Sequence, residues 1–169
     1  MKTKINISIV NDSKKWSKRL KKVRKIVDSI LKYPLHFIDR KYSVYQLTIL
    51  LSDNKGIKKL NKKYRDINKS TDVLTFSNSY KISKNENINI CDIILSADYI
   101  KIQCLKNNIN FYDHTSHLIV HGLLHNNGHD HKSLKKAKVM KNLEILILKK
   151  MNIENPYQNI WPLTKKKIN

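Results

Sequence analysis

Apolar and polar residues alternate between Ile5 and Val10, the spacing of a half-buried β-strand. Over residues 16–31 the apolar positions recur every three to four residues, which predicts an amphipathic helix. Pro34 should end this helix, because proline cannot donate the next backbone hydrogen bond. Residues 43–51 are rich in β-branched and aromatic side chains and predict a central strand. The chain therefore begins in the order strand, helix, strand.

The rest of the chain also alternates between segments with strand spacing and segments with helical spacing. Residues 55–64 predict a short helix, and residues 73–76 and 88–95 predict two neighbouring strands. Between these strands, residues 78–89 hold few apolar side chains and predict a mobile polar loop or hairpin. From residue 96 onward the spacing is helical, and three further helices are predicted at 97–107, 113–127 and 134–151.

This order of elements predicts one α+β domain spanning residues 1–169, with a mobile tail from about residue 160. We expect a single mixed β-sheet of about four strands, covered by about five helices. The sequence contains no internal repeat and no linker that would divide two domains.

The charge balance predicts an anionic partner. Thirty-four Lys and Arg residues stand against thirteen Asp and Glu residues, giving a formal net charge of +21. Such a chain repels itself unless an anion is near, so we predict a nucleic acid, with an acidic membrane surface as the rival. Lys, Asn and Ile are abundant throughout, as an AT-rich genome would produce, and that drift alone would also raise the charge.

Cysteine usage and the absence of a long apolar run predict a cytoplasmic protein without a membrane partner. Cys91 and Cys104 form no C-x-x-C pair and lie in apolar segments, so we expect buried thiols in a reducing compartment. The apolar run from Ile5 to Val10 is too short for a signal peptide.

The histidines are concentrated in one segment, with six of the seven between residues 114 and 131. His121 and His125 are four residues apart, so on a helix their imidazoles project from one face and can bind one ion. Gly128 can adopt a left-handed conformation that ends the helix, which would bring His131 back to the same ion. Three protein ligands leave one tetrahedral position open, which is typical of catalytic rather than structural zinc.

Two alternatives to this zinc site stay open. His121 and His125 could be ordinary helix residues, or His114 or His117 could complete a closed structural site. His117, one turn before His121, could instead hydrogen-bond a ligand or a substrate phosphate, or be a packed or solvated histidine. Asp130 is a candidate to fix the tautomer of a ligand imidazole, with helix-end capping as its alternative.

The segment HGLLHNNGHDH resembles a shortened metzincin motif, a zincin-like histidine pattern on a helix. In the metalloproteases a glutamate directly after the first histidine acts as the general base. That position is Gly122 in this chain, so a peptidase of this kind would lack its base.

A longer resemblance is to the YbeY family of bacterial zinc-dependent endoribonucleases. The stretch HLIVHGLLHNNGHDH is similar to the family signature, and a second block agrees with the family's LN-x-x-YR and T-D-V-L-S-F elements. In this chain that block consists of Leu60–Asn61, Tyr64–Arg65 and residues 71–76, and the segments Asp92–Ile93 and Asn155–Pro156–Tyr157 also fit. The resemblance covers nearly the whole chain.

The resemblance implies a single-strand-specific endoribonuclease that matures ribosomal RNA, at the 3′ end of 16S rRNA, and acts in ribosome quality control. It implies one zinc ion per chain on His121, His125 and His131, and a catalytic role for Arg65. The chemistry agrees, because a guanidinium can stabilise the charge that develops on a phosphate during cleavage. Alternatives are a metallopeptidase, or a non-catalytic ribosome-binding protein that zinc stabilises.

Three departures from the family pattern accompany the resemblance. Asp66 stands where a glycine normally follows the arginine, and Cys91 replaces the glycine before Asp92. Residues 126–131 read Asn-Asn-Gly-His-Asp-His where the family usually has Leu-x-Gly-Tyr-Asp-His. None of the three removes a predicted metal ligand. Asp66 is expected to pair with a nearby cation and to weaken phosphate attraction around Arg65, which would affect the cleavage rate more than the fold.

Overall fold

The structure is a computed structural model that describes residues 3–33, 39, 41–83 and 86–158. Pro34, the isolated His36 and the predicted mobile tail lie outside the described residues. The strands are β1 (Lys4–Asn11), β2 (Val44–Ser52), β3 (Val73–Lys81) and β4 (Asn87–Ser96). The α-helices are α1 (Leu20–Ile30), α2 (Asn54–Arg65), α3 (Ala97–Asn107), α4 (Phe111–Asn126) and α5 (Leu134–Lys150).

The four described strands form one mixed sheet in the order β1-β2-β4-β3. β1 pairs with β2 and β2 with β4 in parallel, whereas β3 pairs with β4 antiparallel. Thr48 on β2 and Phe76 on β3 both lie opposite Asp92 of β4, which fixes the register across the sheet. The predicted α+β class, with one mixed sheet and five α-helices among the described residues, is confirmed.

The polar segment at residues 78–89 is a hairpin, which was one of its two predicted forms. β3 continues to Lys81 and β4 begins at Asn87, so the predicted strand 73–76 was too short. The N–H of Ile82 donates to the carbonyl of Glu86 at 2.8 Å across the turn. The polar composition misled the prediction because this end of β3 is exposed and its backbone pairs only on the β4 side.

Trp16 lies in a separate 3₁₀ turn (Lys14–Trp16) instead of in the first turn of α1. Its side chain is nonetheless completely buried, as the helical spacing predicted, and its indole N–H donates to the carbonyl of Ser52 at 2.7 Å. The predicted helix over 16–31 is therefore interrupted at its start, because the 3₁₀ turn directs the tryptophan ring at β2.

Helix α4 is the central element of the core, and it contacts α1, α3 and α5 as well as β3 and β4. The larger apolar cluster contains Leu47, Ile93, Ile119 and Leu123, and a smaller cluster with Ile57 packs elsewhere against the sheet. Both cysteines are free and buried as predicted, and burial raises the pKa of the Cys91 thiol to about 12. No helix among the described residues is long and apolar enough to cross a membrane.

Helix α2, which carries Arg65, begins after Asp53, whose carboxylate accepts hydrogen bonds from the N–H groups of Lys55 and Gly56 at 3.0 Å each. The bond from Gly56 lowers the pKa of Asp53, with burial opposing it. Because the folded-state pKa is lowered, the carboxylate stabilises the fold above the ordinary Asp pKa, and this contribution disappears as the pH falls through the lowered value.

We expect Asp53→Ala to reduce the free energy of unfolding by about 1 kcal/mol at neutral pH, the usual cost of losing an N-cap. The difference from the wild type should shrink in acid, and urea denaturation at neutral and acidic pH measures both. Asp53→Asn is the matched control, since asparagine also caps helices but does not titrate. An equal loss at both pH values in Asp53→Ala would contradict a capping role for the ionised carboxylate.

Candidate metal centre

The first two predicted ligands lie on the last two turns of α4. The helix begins after Asn110, whose side chain accepts hydrogen bonds from the N–H groups of Tyr112 and Asp113. His121 and His125 project from one face, their ring centroids are 4.5 Å apart, and their Nε2 atoms are 3.0 Å apart. The helical spacing therefore brings two ring nitrogens to one point.

The chain reverses at Gly128, which has a φ of 87° and so adopts a conformation that few other residues tolerate. The N–H of Gly128 donates to the carbonyl of His125 and the N–H of His129 to that of Leu124, both at 3.0 Å, which closes the helix end. The predicted helix stop at Gly128 is confirmed.

The reversal returns His131 to the other two histidines. Its ring centroid lies 5.7 Å from that of His121 and 5.0 Å from that of His125. One ring nitrogen from each of the three residues falls within 4.8 Å of the others, so the group could hold a metal ion. His131 is exposed and the other two are half-buried, which leaves the group open to solvent on the His131 side.

The Nδ1 atoms of the two helical histidines already have acceptors. His125 Nδ1 donates to the carbonyl of His129 at 3.0 Å, and His121 Nδ1 donates to Glu144 Oε1 at 2.6 Å. A carbonyl and an ionised carboxylate cannot donate, so both Nδ1 atoms carry a proton, and in neutral rings the two Nε2 atoms then present lone pairs to each other. Burial and the neighbouring His121 and His131 lower the pKa of His125, which favours the neutral form of its ring.

The donor set fits a zinc ion. Two lone pairs 3.0 Å apart repel each other, and a shared cation removes that repulsion. Tetrahedral zinc with Zn–N bonds of about 2.0–2.1 Å would separate two ligand nitrogens by about 3.4 Å, close to the separation present here. Neutral imidazoles whose Nδ1–H groups are held by acceptors are also the usual form of zinc-binding histidine.

Glu144 on α5 is a site residue that the sequence analysis missed. Its side chain is 1% exposed, and it accepts hydrogen bonds from His121, from His117 Nε2 at 3.2 Å and from the Tyr157 hydroxyl. Burial opposes its ionisation, but the bonds from His117 and His121 outweigh burial and lower the pKa of the carboxyl to about 2. The available signal was a glutamate four residues after Met140, on the apolar stripe of the predicted helix.

The structure gives protein partners to two of the other predicted candidates. His117 bonds Glu144 and the Tyr157 hydroxyl, and it also belongs to a second potential ligand group with His121 and Glu144. Asp130 accepts from the N–H of Lys132 at 3.0 Å and from Lys136 Nζ at 2.7 Å. The acceptors that fix the His121 and His125 tautomers are Glu144 and the His129 carbonyl, and Asp130 is neither of them.

His114, the other histidine that could complete a closed structural site, lies one turn before His117 on α4, and their ring centroids are 6.2 Å apart. Burial lowers its pKa to about 4, and its buried Nε2 has no hydrogen-bond partner in the part of the chain that the structure describes. It belongs to neither potential ligand group found among those residues.

Arg65 is the last residue of α2 and lies beside β3. Its Nη2 donates to the carbonyl of Thr75 at 3.2 Å, and its guanidinium carbon lies 5.6 Å from the centroid of the Phe76 ring. Thr75 in turn packs beneath α4, since a Cβ on Gly122 would lie 2.7 Å from Thr75 Oγ1. Thr75 therefore lies between Arg65 and the residue that follows His121.

The structure explains Asp66, which departs from the YbeY pattern, and Gly122, which departs from the metalloprotease pattern. Asp66 adopts a left-handed conformation with a φ of 58°, which explains why a glycine suits this position, and its carboxylate pairs with Lys62 as predicted. Gly122 is buried against Thr75 and Ile93, so a glutamate there would be directed at the sheet and not at the Nε2 atoms. The metalloprotease base is absent, and this position has no room for one.

We expect Glu144→Gln to weaken zinc binding by about 10- to 100-fold, the usual effect of altering a carboxylate that orients a ligand histidine. Titration against a chromophoric chelator measures the affinity. Glu154→Gln removes an exposed carboxylate of the same charge and should leave zinc affinity within about twofold of wild type. Unchanged affinity in Glu144→Gln would contradict an orienting role for Glu144.

Comparison with known proteins assigns a family to this architecture. The family model described as Endoribonuclease YbeY matches residues 8–152. Proteins named Endoribonuclease YbeY are similar along nearly their whole length: that of Pelagibacter ubique is 38% identical over 148 residues, covering 86% of this chain and 95% of the relative. That of Bartonella henselae is 31% identical over 157 residues, covering 92% and 99%.

A solved structure supports the fold independently. The solution structure of a Thermotoga maritima protein covers 95% of this chain and 99% of its own, with a TM-score of 0.52 and 20% identity. At this identity the likeness concerns the fold alone. The family match, together with the two relatives above 30% identity, shows that this chain belongs to the YbeY endoribonuclease family.

Proposed function

We propose that this chain is a single-strand-specific, zinc-dependent endoribonuclease that matures ribosomal RNA and takes part in ribosome quality control. Its substrate would be the 3′ end of 16S rRNA, and its site of action the cytoplasm. The observation that carries the proposal is the convergence of three ring nitrogens at the end of α4, two of them with their tautomers fixed. Membership of the YbeY family supports RNA as the substrate class.

His121, His125 and His131 would hold one zinc ion per chain. When bound by three protein ligands, zinc offers an open position at which a water is acidified or a phosphate oxygen is polarised. Glu144 keeps the His121 tautomer fixed, and the His129 carbonyl does the same for His125. The exposed side of His131 gives an RNA strand access to this position.

Arg65 would stabilise the charge that develops on the scissile phosphate. Among the described residues its guanidinium donates one hydrogen bond, to the Thr75 carbonyl, and a guanidinium has further N–H groups that can donate to phosphate oxygens. The Phe76 ring beneath the guanidinium restricts its motion, so fewer side-chain conformations are lost when a phosphate binds. Arg65 contacts Thr75, and Thr75 packs against Gly122, the residue that follows His121. This proximity supports the action of Arg65 and the histidines on one substrate.

The net charge of +21 supports ribosomal RNA and ribosomal particles as partners. When lysines bind phosphates, the counterions condensed on the RNA are released into the solution. Added salt opposes this release, so affinity that arises from such contacts falls steeply. We therefore expect RNA binding to weaken strongly between low and physiological ionic strength.

The decisive experiment compares substrates with the purified, zinc-loaded protein. We expect cleavage of single-stranded RNA, little cleavage of duplex RNA and no cleavage of casein. Proteolysis of casein without cleavage of RNA would support the metallopeptidase alternative. Tight RNA binding without cleavage, in a protein that unfolds when chelated, would support the non-catalytic ribosome-binding alternative.

A further inference from the structure

A cleft lies between α1, the first turns of α4 and the segment that follows α5. Its volume is about 390 Å³, which is within the range of pockets that accept small molecules. Its charged and aromatic lining comes from three separate parts of the chain and includes Lys22, Lys25, Lys32, Lys150, Tyr33 and Tyr112. We call this feature the lysine cleft.

The positive charge of the lysine cleft is largely unneutralised. The Lys–carboxylate pairs of the described residues use four other lysines, Lys15, Lys41, Lys62 and Lys136. The one carboxylate in the lining is that of Asp113; burial raises its pKa, Lys22 opposes the shift and the nearby carboxylate of Glu154 adds to it. Two carboxylates, Asp113 in the lining and Glu154 beside it, against four ammonium groups still leave a concave surface that attracts anions.

Aromatic rings lie between these lysines. Lys22 Nζ is 5.5 Å from the centroid of the Tyr112 ring, and Lys150 Nζ is 5.1 Å from that of Tyr33. The hydroxyl of Tyr33 also donates to the carbonyl of Lys150 at 3.4 Å, which joins the two walls. The rings hold ammonium groups at the cleft, and flat aromatic faces beside positive charges are the elements on which single-stranded nucleic acids stack.

The lysine cleft is separate from the candidate metal centre. Tyr112 precedes His121 by nine residues of α4 (121 − 112), which corresponds to about 14 Å along the axis and half a turn around it. The two residues therefore project to opposite sides of the helix. A ligand in the cleft would not contact the three histidines.

We propose that the lysine cleft binds a segment of single-stranded RNA outside the metal centre, with phosphates on the lysines and bases on the tyrosines. The choice of RNA rests on the proposed function, and the cleft would hold a substrate strand that also reaches the histidines. An acidic polypeptide would satisfy the lysines but would make no use of the ring faces. Short RNAs that cannot span both places should bind more weakly than long ones.

The test compares two double variants that change the net charge equally. Lys25→Glu with Lys32→Glu alters the cleft, and Lys101→Glu with Lys106→Glu alters exposed lysines of α3. Binding of a labelled oligouridylate of about 16 nucleotides is followed by fluorescence anisotropy over a range of salt concentrations. The affinity of the cleft variant should fall by at least about tenfold. The slope of log affinity against log salt concentration should become about 1.4 less steep, because two phosphate contacts are lost. The α3 variant should lose less than about threefold.

A third variant separates stacking from charge. Tyr33→Leu should lose about fivefold or more in affinity with the salt slope unchanged, because it removes an aromatic face but no ammonium group. Thermal unfolding of each variant confirms that the protein is folded. Equal losses in the two double variants would overturn the proposal, since net charge alone would explain binding. A loss of polyglutamate binding as large as the loss of RNA binding would also overturn it, in favour of an acidic protein partner.

Failure of this proposal can be told apart from failure of the proposed function. Cleavage of a dinucleotide, too short to reach the lysine cleft, should be equal in the wild type and the cleft variant. A large loss of dinucleotide cleavage in the cleft variant would contradict a separate site. If no form of the protein cleaves RNA, the proposed function fails, while the binding difference between the two double variants still decides the cleft.

Discussion

Replacing His125 with alanine is expected to abolish stoichiometric zinc binding and to lower kcat/KM for single-stranded RNA by at least about 10³-fold. Such a factor corresponds to the several kcal/mol of charge stabilisation that a bound metal supplies. The ring that would be lost places its Nε2 3.0 Å from that of His121. Metal content by mass spectrometry and cleavage of a fluorogenic RNA measure the two effects on one sample.

His129→Ala is the matched control for this substitution. It removes a neighbouring imidazole but keeps the backbone carbonyl that accepts from His125 Nδ1. The His129 ring belongs to neither potential metal-binding group in the described part of the chain. Zinc content should stay near one ion per chain in this variant. Retained zinc and retained cleavage in His125→Ala would contradict the assignment of His125 as a ligand.

Replacing Arg65 with alanine should lower kcat for RNA cleavage by about 10²- to 10³-fold, the usual loss when one donor to a developing negative charge is removed. Zinc content should not change, because Arg65 contacts Thr75 and Phe76 and none of the three histidines. Single-turnover cleavage at saturating RNA separates this effect on the chemical step from weaker binding.

Two variants of the same helix sharpen the interpretation of Arg65. Arg65→Lys keeps the charge but loses the paired N–H geometry, so only part of the rate should return. Lys63→Ala removes a cation that lies 4.9 Å from the Tyr64 ring, and it should affect binding slightly and kcat not at all. A kcat in Arg65→Ala equal to that of Lys63→Ala would show that Arg65 contributes only charge.

The histidine arrangement could be predicted because its determinants are local in sequence. His121 and His125 share a helix face through their spacing alone, and Gly128 ends that helix through its own backbone conformation. Only the position of His131 depends on a reversal of the chain. His131 follows Gly128 by just three residues, so the reversal leaves it few places other than beside the end of the helix. The mixed sheet likewise followed from the order of short-range patterns.

Glu144 could not be predicted in the same way, because its role depends on contact between two helices. It follows His121 by 23 residues, and the packing of α5 against α4 brings its carboxylate to the imidazole. Tyr157 reaches the same carboxylate from beyond the end of α5. The extension of β3 to Lys81 was missed for a related reason: pairing with β4 determines this strand, and its own side chains are exposed and polar.

The central claim, that the three histidines form a zinc centre that cleaves RNA, is tested most directly by titrating zinc into metal-free protein. RNA cleavage and intrinsic fluorescence are followed together, so that recovery of activity is distinguished from refolding. We predict that cleavage rises from a negligible level and reaches its plateau at one zinc ion per chain. Full cleavage by the metal-free protein, or a plateau that zinc does not affect, would contradict the claim.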